Sequence, residues 1–203
     1  MNIKPFGERI ALITVEETYS GKIQLPESRN REYVIGRCVA VGNGTYADGV
    51  SKPIYTRVGS TYLFQIDAMS RVNATFKVGE QLTLILHQAD MICELASTEV
   101  SFESVSMVGH WTLVEPYIVR AEGSLIEIPD SAKETTQELQ HFRLLKKGSA
   151  VTLDAEVGDE VFAARGRITP ISLGDKIYGF IQDNFIFGSI PSVTEVIEIE
   201  RAK

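Results

Sequence analysis

Tyr33-Val34-Ile35-Gly36-Arg37-Cys38-Val39-Ala40-Val41-Gly42-Asn43-Gly44 reads as a β-strand running into a tight turn. Tyr33, Val34, Ile35, Val39 and Val41 favour extended backbone. Gly42-Asn43-Gly44 offers residues that accept the φ values of a reversal. The same pattern extends outward on both sides. Upstream lies Ile10-Ala11-Leu12-Ile13-Thr14-Val15. Downstream come the turn pair Asp48-Gly49, then Tyr62-Leu63-Phe64-Gln65-Ile66 and Leu82-Thr83-Leu84-Ile85-Leu86. Short strands at this spacing predict an all-β barrel or sandwich. Helical signal is weak. Ser131 to Leu145 contains Lys133-Glu134 and Gln137-Glu138-Leu139, but Thr135-Thr136 and the lack of an apolar stripe leave it mostly loop.

The chain has 203 residues, enough for two small domains of about 100 each. A Ser- and Glu-rich stretch, Ser97 to Ser106, separates halves of similar size, and its alternating Val100, Phe102 and Val105 give it apolar residues to pack. The expected organisation is residues 1–96, a linker at 97–106, and residues 107–203. The halves resemble each other. Lys22-Ile23-Gln24-Leu25-Pro26-Glu27-Ser28 echoes Leu125-Ile126-Glu127-Ile128-Pro129-Asp130-Ser131. Arg57-Val58-Gly59-Ser60 echoes Glu156-Val157-Gly158-Asp159, and Val78-Gly79-Glu80 echoes Leu173-Gly174-Asp175. The offset falls from 103 to 99 to 95 along the chain, as a duplication with small deletions would give.

The first half carries an ordered set of motifs. Lys4-Pro5-Phe6-Gly7-Glu8-Arg9-Ile10 is similar to the Pro-x-x-Asp-Arg-Val opening of the ten-kilodalton, GroES-type chaperonin family, with Glu8 for Asp. Ser20-Gly21-Lys22-Ile23-Gln24-Leu25-Pro26-Glu27 resembles that family's Gly-Gly-Ile-x-Leu-Pro mobile loop. Gly36 to Gly44 resembles its Gly-x-Val-x-Ala-Val-Gly-x-Gly strand and turn. Arg57-Val58-Gly59 resembles its Val-Gly-Asp turn, and Ala89-Asp90-Met91-Ile92 its closing Asp-Ile-Leu. In the second half, Ile126-Glu127-Ile128-Pro129 matches the mobile loop and Val157-Gly158-Asp159 the turn. There Lys147-Gly148-Ser149 replaces the Val-Gly-x-Gly turn, and the roof hairpin looks shortened. The resemblance implies two tandem GroES-like small irregular β-barrels, all-β, the second more divergent. It further implies a homo-oligomeric ring that closes the cavity of a GroEL-type chaperonin, which binds and hydrolyses the ATP. The co-chaperonin itself does no chemistry and holds no cofactor. Whole two-domain chains do not match a seven-fold partner if every barrel sits in one tier.

The resemblance puts the chaperonin-binding residues at Ile23, Gln24 and Leu25, and at Ile126, Glu127 and Ile128. A polar segment with a small apolar cluster loses entropy when it is ordered on a partner. Burying each Ile or Leu returns about 1.5–3 kcal/mol. One loop therefore binds weakly, and a ring of loops gains strength by effective concentration. Pro26 limits the freedom of the unbound loop. Glu127 is a departure, because it puts a charge into an apolar docking motif.

Charge and composition exclude much else. The formal net charge of −7 disfavours nucleic acid and anionic membrane surfaces as partners. No run of about 18 apolar residues spans a membrane, and Met1-Asn2-Ile3-Lys4-Pro5 lacks an apolar signal region. The expectation is a soluble, cytoplasmic protein with Cys38 and Cys93 as buried thiols. His87, His110 and His141 are not in metal-ligand spacing. There is no phosphate-binding Gly-rich loop and no nucleophile elbow. Trp111 reads as a core or interface residue. The chain is therefore expected not to be an enzyme. The competing readings are a barrel that binds single strands or sugars, a detached dehydrogenase domain, and a structural or assembly protein, with viruses among its conceivable sources, that keeps the fold without binding a chaperonin.

Overall fold

In the computed structural model of this chain, the described residues are 3–15, 33–65, 67–68, 75–78, 81–97, 100–116 and 139–192. The fold is all-β. Its strands are β1 (Arg9–Thr14), β2 (Tyr33–Val41), β3 (Thr61–Gln65), β4 (Thr75–Val78), β5 (Gln81–His87), β6 (Met91–Leu95), β7 (Val105–Met107), β8 (Trp111–Pro116), β9 (Leu139–Lys147), β10 (Glu160–Ala164), β11 (Thr169–Leu173), β12 (Lys176–Gln182) and β13 (Ile186–Ile190). They form a seven-stranded sheet, β4-β5-β1-β2-β3-β6-β7, and a six-stranded sheet, β11-β12-β8-β9-β10-β13. All pairings are antiparallel.

The second sheet follows the strand order of the first six strands of the first. The irregularities also correspond. The register shift between Ala11 and Leu12 in the β1–β2 pair has its counterpart between Leu113 and Val114 in β8–β9. The shift between Leu63 and Phe64 in β3–β6 matches that between Phe162 and Ala163 in β10–β13. The turns are closed by matching hydrogen bonds. Gly42 N donates to Arg9 O and Gly148 N to Trp111 O. Gly44 N donates to Gly7 O and Ala150 N to Gly109 O. Gly59 N donates to Cys38 O and Gly158 N to Leu144 O. The long connection from β2 to β3 carries a small hairpin in which Thr45 bridges Ser51 and Tyr46 N bonds Val50 O at 2.9 Å. The matching connection, residues 148–159, is shorter, as expected of the roof.

Three apolar clusters explain why the strands read as continuous apolar runs rather than clean alternations: much of each sheet is covered on both faces. In β3, Tyr62 and Phe64 point into a cluster with Ile10, Leu12, Cys38, Leu84, Leu86 and Met91, inside the first sheet. A second inner cluster joins Val114, Phe142, Leu144, Val161, Ala163, Ile181 and Ile186 in the second sheet. The third is shared. Ile35, Leu63, Ile92, Cys93 and Leu95 of the first sheet pack with Leu113, Ile171, Leu173, Tyr178 and Phe180 of the second.

Two stretches differ from, or refine, the sequence reading. Leu139–Leu145, expected as mostly loop, belongs to β9. It is held between β8 and β10, where Phe142 and Leu144 are buried on one face; pairing on both sides overrides its weak intrinsic preference. The Ser- and Glu-rich stretch between the halves is packed where it is described. Val100 and Val105 enter the shared cluster, Ser101 and Ser104 close a turn on each other, and β7 pairs with β6.

Candidate functional site

The six residues expected to bind a chaperonin, Ile23, Gln24, Leu25, Ile126, Glu127 and Ile128, lie outside the described residues. Their roots are described. Residues 16–32 connect β1 to β2, and the base of that connection is pinned by Thr14 opposite Gly36 and by Val15 N donating to Ile35 O at 3.1 Å. Residues 117–138 connect β8 to β9, with Pro116 opposite Phe142 at the base. Both segments therefore fill the same connection of the shared strand order, rooted on paired strands whose cores are buried.

A polar knot holds the start of β1. The turn at Gly7, with φ +60°, delivers Glu8 into the protein, where it is 7% exposed. The Tyr46 hydroxyl donates to Glu8 Oε2. Gln88 Nε2 donates to Glu8 Oε1 at 3.0 Å and to Pro53 O at 2.7 Å. Lys52 Nζ lies 3.3 Å from Glu8 Oε2, and His87 Nε2 3.6 Å. Burial alone would raise the Glu8 carboxyl, but the bonds from Tyr46, Gln88 and Lys52, helped by His87, outweigh it and hold the group below its ordinary value. The same carboxylate raises the Tyr46 phenol. The knot ties the hairpin of residues 45–51 to the foot of β1 and to the Gln88–Asp90 turn. Sequence reasoning noted Glu8 only as a motif residue and missed Tyr46 and Gln88; their signal is three-dimensional.

At the matching place in the second sheet the charge is rearranged. His110 precedes β8 as Glu8 precedes β1, and its Nδ1 lies 3.1 Å from Asp183 Oδ2. Asp183 stands where Gln88 stands in the first sheet and accepts from Thr152 N. The two knots face a shared cleft of about 650 Å³, also lined by Tyr55 and Trp111. Trp111 is an interface residue, with its Nε1 donating to Ala89 O of the first sheet at 3.0 Å. No group of three or more His, Cys, Asp and Glu among the described residues could hold a metal ion. No helix of the described residues is long and apolar enough to cross a membrane. Cys38 and Cys93 are free and buried.

Comparison with known proteins bears on the first half. The family model for the chaperonin 10 Kd subunit matches residues 2–95. The co-chaperonin GroES of Alkalilimnicola ehrlichii is 35% identical over 95 residues, 45% of this chain and 96% of that protein. The co-chaperonin GroES of Clostridium botulinum is 33% identical over 94 residues, 45% of this chain and 95% of that protein. Nearly the whole length of these relatives thus fits within the first sheet and its loops, and through residues 2–95 the chain belongs to the chaperonin 10 Kd subunit family of GroES co-chaperonins.

Proposed function

We propose that this chain is a non-enzymatic co-chaperonin, built of two GroES-like barrels in tandem, that caps a GroEL-type chaperonin ring and assists ATP-dependent protein folding. The observation that carries the reading is the match of the first half to nearly the full length of GroES co-chaperonins. The second barrel, residues 107–203 after a junction at 97–106, rests on the repeated strand order and the paired bulges and turn bonds. The docking residues are Ile23, Gln24 and Leu25 in the first barrel and Ile126, Glu127 and Ile128 in the second. Each set carries two apolar residues, with the Glu127 charge between those of the second, and is short enough to bind weakly alone, so repetition around a homo-oligomeric ring supplies the strength. The ATP belongs to the chaperonin.

The test is refolding of a chaperonin-dependent client with a GroEL-type chaperonin and ATP. Adding this chain is expected to raise the yield of active client several-fold over chaperonin alone. A yield unchanged by the chain, with the chaperonin shown to be active with its own co-chaperonin, would favour a structural protein that keeps the fold without the docking role.

A further inference from the structure

We infer that the cleft between the two sheets binds a hydroxyl-bearing aromatic ring, with His110 accepting from the hydroxyl. The first sheet holds the template for this contact. There the Tyr46 ring lies over Gly7, where a Cβ would meet it at 3.3 Å, and its hydroxyl donates to Glu8. Lys52 adds an ammonium 3.3 Å from the same carboxylate. Both donors come from the stretch between Gly44 and Pro53. The second sheet keeps the ends of that stretch and lacks its middle. Ala150 N donates to Gly109 O as Gly44 N donates to Gly7 O. Thr152 N donates to Asp183, as Pro53 O accepts from Gln88, whose place Asp183 takes. Residues 45–52 therefore have Val151 as their only counterpart, and neither the phenol nor the ammonium is repeated.

The residue that those donors would meet is His110. Asp183 N donates to His110 O at 3.0 Å, as Gln88 N donates to Glu8 O at 2.9 Å, so His110 holds the position of Glu8. Its ring has a set orientation. Asp183 is buried, and an ionised carboxylate only accepts, so His110 Nδ1 is the donor of their 3.1 Å bond. In the neutral ring Nε2 is then an acceptor. It has no hydrogen-bond partner among the described residues. Cover differs in the same sense. The Glu8 side chain is 9% exposed beneath its donors, whereas that of His110 is 54% exposed.

The walls select the ligand. The cleft holds about 650 Å³, room for a small organic molecule. Tyr55 of the first sheet lies over Gly109, where a Cβ would meet its ring at 3.5 Å, much as Tyr46 lies over Gly7. It stands edge-on to His110 with ring centres 6.5 Å apart and makes no hydrogen bond to it. Trp111 is fixed by the bond from its indole N–H to Ala89 O. Pro53, Val108 and Leu153 add apolar surface. A flat ring packs well against such walls, edge-on or offset. Charge disfavours an anion. Glu8 and Asp183 both line the cleft, and Lys52, its one Lys or Arg among the described residues, already faces Glu8. The nitrogen that His110 presents calls for a donor. A neutral donor on an aromatic body is a phenol, the group that Tyr46 supplies in the first sheet.

The proposal rests on the reading of the second half as a repeat and not on chaperonin docking, so it is tested on the full chain alone. Trp111 is the single tryptophan, and its indole N–H gives one signal in a proton–nitrogen NMR spectrum. Titration with p-cresol should shift that signal saturably. Its methyl ether, p-methylanisole, keeps the ring and loses the donor. It should bind at least about tenfold more weakly, because it leaves the His110 nitrogen unpaired. His110→Phe keeps a ring and removes the acceptor, so it should lose at least about tenfold in affinity for p-cresol and hold the ether as before. Tyr55→Leu should weaken both ligands alike. The phenol–ether difference is read on the folded parent, so it stands even if a variant proves unstable. N-acetyltyrosinamide separates the two sources of a phenol. Binding as tight as that of p-cresol assigns the cleft to a tyrosine side chain of a polypeptide, and binding of p-cresol alone assigns it to a free phenol; both sustain the proposal. No saturable shift, equal binding of phenol and ether by the parent, or an undiminished preference for the phenol in His110→Phe would overturn it.

Discussion

A Cβ on Gly42 would lie 2.1 Å from Gly7 O, and one on Gly148 2.4 Å from Gly109 O. Both carbonyls are fixed by turn hydrogen bonds, so neither can retreat. Alanine at either position is expected to cost more than about 2 kcal/mol, read as a fall in the urea midpoint. Gly166→Ala, where a Cβ meets open space, should change stability by less than about 0.5 kcal/mol. Glu8 carries a pH signature. Its folded carboxyl titrates below its ordinary value of 4.5, so its contribution is complete above that value and is lost as pH falls through the lower, folded one. Glu8→Gln should therefore reduce stability near neutral pH by about 1–2 kcal/mol and flatten the loss on acidification, seen in urea midpoints from about pH 7 to pH 3. Burial pushes the Cys38 thiol up to about 11 and the Cys93 thiol up to about 12. Both should resist an aromatic disulfide reagent in the native protein and react fully in denaturant.

At the scale of elements, β7 decides how the halves join. Lys146 reaches across to two carbonyls and lies 4.3 Å from the centre of the Phe102 ring; burial lowers its ammonium below the ordinary lysine range. Lys146→Met keeps the stem and removes the donors, so about 1–2 kcal/mol should be lost, with faster amide exchange at Val105 to Met107. Much of the element plan was legible. The β-branched runs and the Gly-Asn-Gly turn marked β1 to β3, and the echo of Val58-Gly59 in Val157-Gly158 falls on turns closed by matching hydrogen bonds. β9 was not legible in its first half, because Thr135-Thr136 and the glutamines obscure a strand held by neighbours on both sides. The Glu8 knot was not legible either: Tyr46 and Gln88 lie 38 and 80 residues away from it in sequence. The expected docking residues, which lie outside the described residues, rest on motif resemblance alone, since a short apolar cluster in a polar segment has no periodicity to identify it.

At the scale of the whole molecule, the shared cluster packs the two sheets against each other, and the two are expected to unfold together. Phe180 is fully buried there and meets Tyr33 edge-on at 5.9 Å. Tyr33 also bonds Pro170 O, and Gln65 bonds Thr169 across the same junction. Phe180→Ala should cost about 3–5 kcal/mol. Because the loss falls on the junction, calorimetry should resolve two transitions in the variant where the parent gives one. On the proposed reading, two sheets packed through one cluster carry two docking segments per chain, which favours simultaneous engagement over independent binding. The proposed docking on a chaperonin is tested by capture of a GroEL-type chaperonin by the tagged full chain, with and without ATP. The parent should capture it only with nucleotide, Ile23→Ala/Leu25→Ala should lose the complex, and Ile126→Ala/Ile128→Ala should weaken it. Capture that is absent with and without nucleotide, or unchanged in both double variants, would rule out docking through these segments.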